Sequence, residues 1–170
     1  DIDERKANGD VMPYGMQLGS GTWDFHPGLT LLGQSDDYSW GAQAGGVFRI
    51  GDNDRDYSLG NRFEATLWGA RKMSDSLSVS AKIDYSSQNE IDGQDKEVTN
   101  MMKNMTASYD PAHQGSDFTT FGLGINYYCR KGSFKGHRLA AEWETPINQN
   151  VNGVQLELDS TWTLGWQYAW

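Results

Sequence analysis

Apolar and polar positions alternate along most of this chain. Residues 38–51 put Tyr38, Trp40, Ala42, Ala44, Gly46, Phe48 and Ile50 on one parity, and Ser39, Gly41, Gln43, Gly45, Val47, Arg49 and Gly51 on the other. Successive side chains of a strand point to opposite faces, so this run predicts a strand with one apolar, aromatic face and one small or polar face. Residues 76–86 repeat the pattern, with Leu77, Val79, Ala81, Ile83 and Tyr85 opposite Ser78, Ser80, Lys82 and Asp84. Further strands are predicted over 61–72, 117–129, 137–147 and 156–170, and a weaker one over 22–32. Residues 11–19 offer an eighth, weakened by Pro13 and two glycines. The one helical spacing is Val98, Met101, Met102 and Met105, which predicts a short helix within 95–108.

The strands and gaps carry more information together than singly. Predicted strands of 12–14 residues exceed the five or six usual in globular sheets. The gaps 34–37, 51–59, 73–75, 89–115, 130–135 and 148–155 run short, long, short, long, short, long. An up-and-down barrel with brief periplasmic turns and longer external loops predicts that order, whereas Greek-key links do not. Aromatic residues gather toward both ends of the strands, as two interfacial girdles would require. The expectation is an all-β fold, an antiparallel up-and-down transmembrane β-barrel with seven to eight strands in this chain. Residues 1–170 form a single β-barrel domain or the C-terminal part of one, with 89–115 as the long external loop. Residues 1–10 are expected to form an external loop rather than a plug.

Composition narrows the alternatives. The 170 residues include 14 Lys plus Arg and 23 Asp plus Glu, a net charge of −9. That balance argues against binding to a nucleic-acid backbone. Mean hydropathy is −0.68, and no stretch approaches the roughly 18 apolar residues of a membrane helix, a limit that does not apply to membrane strands. A single cysteine, Cys129, excludes an intrachain disulfide framework and a Cys-based zinc site. The chain opens at Asp1 without a signal peptide, which suggests a mature product or a fragment.

The terminal Trp-Thr-Leu-Gly-Trp-Gln-Tyr-Ala-Trp (162–170) resembles the closing strand of Gram-negative outer-membrane proteins. Residues 12–24, Met-Pro-Tyr-Gly-Met-Gln-Leu-Gly-Ser-Gly-Thr-Trp-Asp, with Pro-Gly-Leu-Thr (27–30) and Gly-His-Arg-Leu-Ala (136–140), resemble a bacterial outer-membrane β-barrel transporter-like family. That family is labelled MetA-pathway of phenol degradation. The resemblance implies the C-terminal portion of a larger barrel in the bacterial outer membrane, associated with uptake of aromatic or other poorly soluble compounds. It names no substrate.

The expected function is passive transport of small solutes, with no covalent chemistry, no catalytic residue and no cofactor. The alternatives are a non-conducting structural or adhesive eight-stranded barrel and a soluble all-β binding module. The expected partners are outer-membrane lipid, lipopolysaccharide and a small-molecule solute; the oligomeric state is left open. The candidate lumen-lining residues are Asp24, His26, Gln43, Arg49, Arg62, Glu64, Lys82, Asp84, Asn126, Arg138, Glu142, Glu144, Glu157 and Asp159. They would set charge selectivity in a pore or pair internally in a filled barrel. Asp52, Asp54 and Asp56 supply hard oxygen ligands for Ca²⁺, although a solvated acidic turn explains them as well. Met101, Met102, Met105 and His113 could bind Cu(I), or pack as a lid. Ser20, Asp24 and His26 contain the residue types of a hydrolytic triad without a G-x-S-x-G elbow.

Overall fold

The computed structural model describes residues 2–168. The first long strand is split into β1 (Trp23–Phe25) and β2 (Gly28–Gln34). It is followed by β3 (Tyr38–Ile50), the short β4 (Tyr57–Ser58), β5 (Arg62–Lys72), β6 (Leu77–Gln88) and the short β7 (Asp92–Gly93). Then come the helix α1 (Asn100–Met105) and the strands β8 (Ser116–Tyr128), β9 (His137–Val151) and β10 (Thr161–Tyr168). β1 and β2 both pair with β3 in one continuous register, interrupted at His26 and Pro27. Pro27 has no N–H to give a ladder; its carbonyl accepts from the Gly46 N–H at 3.0 Å.

Each long strand pairs antiparallel with the next, so the sheet is an up-and-down meander of eight strands when β1 and β2 are counted separately. Among the described residues β2 pairs only with β3, and β10 only with β9. These strands therefore do not close into a barrel, contrary to the sequence expectation. The reason is partly local. Residues 11–19, the expected eighth strand, form a 3-10 turn at Tyr14–Met16 and an isolated bridge between Arg5 and Val11. What remains is seven long strands, whose first and last members run in the same direction.

The register keeps the faces separate across the sheet. Leu67, Ile83 and Phe121 are lateral neighbours on one face; Thr66, Asp84 and Thr120 are neighbours on the other. One irregularity, opposite Thr119 and Thr120, inserts an extra residue into β9 near Ile147. The connections 35–37, 73–76 and 129–136 lie at one end of the sheet, and 51–61, 89–115 and 152–160 at the other.

The conventional core lies outside the long strands. Among the described residues, all seven buried apolar ones, Ile2, Val11, Tyr14, Tyr57, Ile91, Val98 and Tyr109, belong to the N-terminal segment and the first two long loops. Together these segments make a cap at the long-loop end. Val11, Val98 and Tyr109 form one cluster with Met102 against it; Tyr14, Tyr57 and Ile91 form another with Leu59. Tyr14 and Tyr57 meet edge to face at 5.0 Å. Arg55, 4% exposed, pairs with Asp95 at 3.1 Å and also reaches Asp3 and Glu97. Burial pushes the Tyr14 hydroxyl up to about 12. The Arg5 guanidinium holds the Glu97 carboxyl below its ordinary range.

Candidate functional site

The face of the sheet opposite the apolar one carries the charges, and the register brings most of them into pairs. Asp24 on β1 and Arg49 on β3 are direct cross-strand partners and form an ion pair; Ser20 and Thr22 also donate to Asp24. Arg62 and Glu64 pair along β5. Gln43 and Thr66 are neighbours, and the Thr66 hydroxyl donates to Asp84 at 2.6 Å. Arg138 donates to the Asn126 side chain at 3.1 Å.

The densest group is centred on Lys82, at the middle of β6. Its ammonium lies 2.7 Å from Glu144, 2.9 Å from Glu142 and 3.5 Å from Asp84. Glu142 and Glu144 are on β9, two strands away. Neighbouring strands are about 4.8 Å apart, so Lys82 must span roughly 10 Å across β8. It can do so because β8 presents Gly124 opposite Glu142 and Gly122 opposite both Lys82 and Glu144. A Cβ at Gly122 would sit 3.0 Å from two Lys82 carbons and 3.2 Å from Glu144. The lysine lies over Gly122, and the Ser80 hydroxyl and Glu142 carboxylate lie over Gly124.

Exposure divides the two faces. The Lys82 and Glu144 side chains are 24% and 21% exposed, whereas Leu164 is 79% and Trp166 68%. Around Lys82 and at the Asp24–Arg49 pair the charged side chains shelter one another, while Arg62 and Glu64 stay exposed; on the other face Leu164, Trp166 and Leu67 stand bare. Charge is also divided along the strands. The N-terminal segment and the three long loops (1–22, 51–61, 89–115 and 152–160) hold fourteen acidic and five basic residues, the whole net charge of −9. At the short-turn end Asp75 pairs with Lys72 and Arg130, which hold its carboxyl below the usual range.

Ten of the fourteen expected lining residues, Asp24, Gln43, Arg49, Arg62, Glu64, Lys82, Asp84, Asn126, Glu142 and Glu144, fall on this face in strands, and Arg138 joins them near the short turns. Three do not hold their expected places. His26 sits in the break between β1 and β2. Glu157 and Asp159 lie in the exposed connection before β10, which begins only at Thr161. The alternation of 156–160 thus runs past the strand into a loop. Asp159 contributes only its carbonyl, which accepts from Thr145. Trp170, expected to close the last strand, lies outside the described residues.

The remaining candidates do not assemble. Among the described residues no three His, Cys, Asp or Glu side chains converge to hold a metal, so Asp52, Asp54 and Asp56 are not gathered as a ligand set. Ser20 donates to Asp24 at 2.9 Å and makes no hydrogen bond with His26, so no nucleophile–base pair forms there. Met102 packs into the cap while Met101 and Met105 are exposed.

One residue of the charged face was missed as a site candidate. Trp68 is the cross-strand partner of Lys82 and of Gly41, and its indole lies over Gly41, where a Cβ would meet it at 2.5 Å. Its even position in β5 was the available signal.

Comparison of the chain with family models and with curated proteins finds no match. The functional reading therefore stands on the arrangement of these residues.

Proposed function

We propose that this sheet is part of the wall of a β-barrel in the bacterial outer membrane, through which small solutes pass without covalent chemistry. The apolar face meets acyl chains, the charged face lines the lumen, and the cap sits at the outer mouth, among lipopolysaccharide. The observation that carries the reading is the inverted burial. Among the described residues the long strands hold none of the seven buried apolar residues, while Asp24, Arg49, Lys82, Asp84, Glu142 and Glu144 are paired and half-buried. Leaving a Leu or Trp exposed in water forgoes about 1.5–3 kcal/mol of burial each, and this face repeats that along every long strand.

Strand length supports the same reading. Thirteen residues of β8 extend about 43 Å; at a tilt near 45° this just spans a hydrocarbon core of about 30 Å. The indole N–H of Trp166 donates to His137 at 2.9 Å near the short turns, an aromatic with a satisfied polar group, as an interface favours. Unpaired edges in lipid cost several kcal/mol for each exposed backbone group, so β2 and β10 need partner strands. Seven strands bring the two edges into the same direction. An all-antiparallel closure therefore takes an odd number of additional strands.

The test is purification followed by planar-bilayer recording on the full-length protein. The expected result is a requirement for detergent and discrete conductance steps on insertion. A stable monomer in buffer without detergent would overturn the membrane reading. Detergent-dependent protein that never conducts would leave the filled, non-conducting barrel in its place.

A further inference from the structure

We propose that Lys82 is the selectivity-determining residue of this lumen, and that its surroundings admit small cationic solutes in preference to anions. The inference rests on the pore reading above and adds a residue and a solute class to it. On the charged face, Asp24 with Arg49 and Glu64 with Arg62 are one-to-one pairs and carry no net charge. The group around Lys82 differs. One ammonium meets three carboxylates, Asp84, Glu142 and Glu144, and leaves two negative charges in excess at mid-strand.

Position makes that excess matter. The described residues at the cap end carry a net charge of −8, thirteen acidic against five basic, so a cation entering there meets one sign of potential from the mouth to the middle of the strands. Lys82 tempers this field at its deepest point. The space over Gly122 holds it between strands β6 and β9, close to both β9 carboxylates. Removing the ammonium would expose a run of bare carboxylates; removing two carboxylates would leave the ammonium and one acid in balance.

The experiment is reversal-potential measurement in planar bilayers under a KCl gradient, on the full-length protein. Wild type is expected to favour K⁺ over Cl⁻. Lys82→Gln should raise that preference by about threefold or more, since an unshielded unit charge at close range acts on a permeating ion before salt screens it. Glu142→Gln with Glu144→Gln should lower it, and Lys82→Arg should preserve it. The opposite signs keep the test decisive if one variant folds poorly, and a merely structural role would not produce them. Conducting channels whose ion preference is the same in all four proteins would overturn this inference alone. Absence of conductance from wild type would overturn both it and the pore.

Discussion

The cap and the sheet obey opposite burial rules within one chain. In the cap, Tyr57 is fully enclosed and even Asp95 is only 2% exposed, so apolar groups are inside and the buried charge has a partner. In the sheet, the apolar residues face outward and the charged ones face one another. Both halves use the same chemistry; on the proposed reading, what differs is the solvent each face meets. The cap is built for water, burying apolar area away from it. The sheet is arranged as if the medium on one side were itself apolar, where no gain follows from turning Leu or Trp inward. The boundary between the two regimes falls where the long strands end and the long loops begin.

The comparison is sharpest where one kind of truncation is made on both sides of that boundary. Tyr57→Ala, in the cap, should cost about 3–5 kcal/mol of cap stability, as a filled core site is emptied. Leu164→Ala, on the bare face of β10, should cost far less in detergent, because detergent chains fill the vacated space. Urea titration in micelles, followed by hydrogen exchange of loop and strand amides separately, reads both. A large loss for Leu164→Ala would mean that this face has a packed protein partner.

Polarity substitution gives a contrast of the next size. Ile83→Arg, on the apolar face in the middle of β6, should destabilise the bilayer-inserted protein by about 2–4 kcal/mol. The same charge added to a face in bulk water would be nearly neutral. Refolding yield into lipid vesicles measures it, and unchanged yield would place Ile83 against water.

How much of this was legible in the sequence follows from the same distinction. Strands β3, β5, β6 and β8 were readable to within two residues at each end, because strict period-two alternation is local and needs no partner. β9 was readable only to 147, since Pro146 and the extra residue near Ile147 break the count and the strand resumes on shifted parity to Val151. The start of β10 was misplaced for the converse reason: Leu156 and Leu158 alternate with Glu157 and Asp159 in a segment that pairs with nothing in the ladder. Of the cap, only the short helix within 95–108 was legible, through the spacing of Val98, Met101, Met102 and Met105; its core was not. Ile2, Val11, Tyr57 and Tyr109 come from segments far apart in the chain and follow no period. The Lys82 tie depended on register, which decides that Gly122, and not a bulkier residue, lies beneath it.

Alkaline titration probes the cap without a substitution. The Tyr14 hydroxyl is raised to about 12, chiefly by burial, from an ordinary value near 10. A group whose folded value is raised favours the folded state below its unfolded value and loses that contribution as pH climbs through the folded one. From neutral pH upward, cap protection should therefore hold to about pH 10 and fall between 10 and 12, while strand amides far from the cap keep theirs. Tyr14→Phe should flatten the Tyr14 part of the decline, leaving the smaller contribution of Tyr57, which is also raised.

The smallest effect concerns the helix inside the cap, and it tests whether the two regions are coupled at all. Thr99 caps α1 by accepting the Met102 N–H at 3.3 Å. Six residues make a marginal helix, so the cap bond and the packing of Met102 on Val11, Val98 and Tyr109 hold it in place. Thr99→Ala should cost about 1 kcal/mol and speed amide exchange across Asn100–Met105. Because the cap has its own core and its own buried ion pair, the loss should stop there. Exchange in β6 and β8, which this loop joins, should be unchanged. If those strands loosened as well, the cap would be holding the sheet, and the division into two independently solvated regions would fail at that seam.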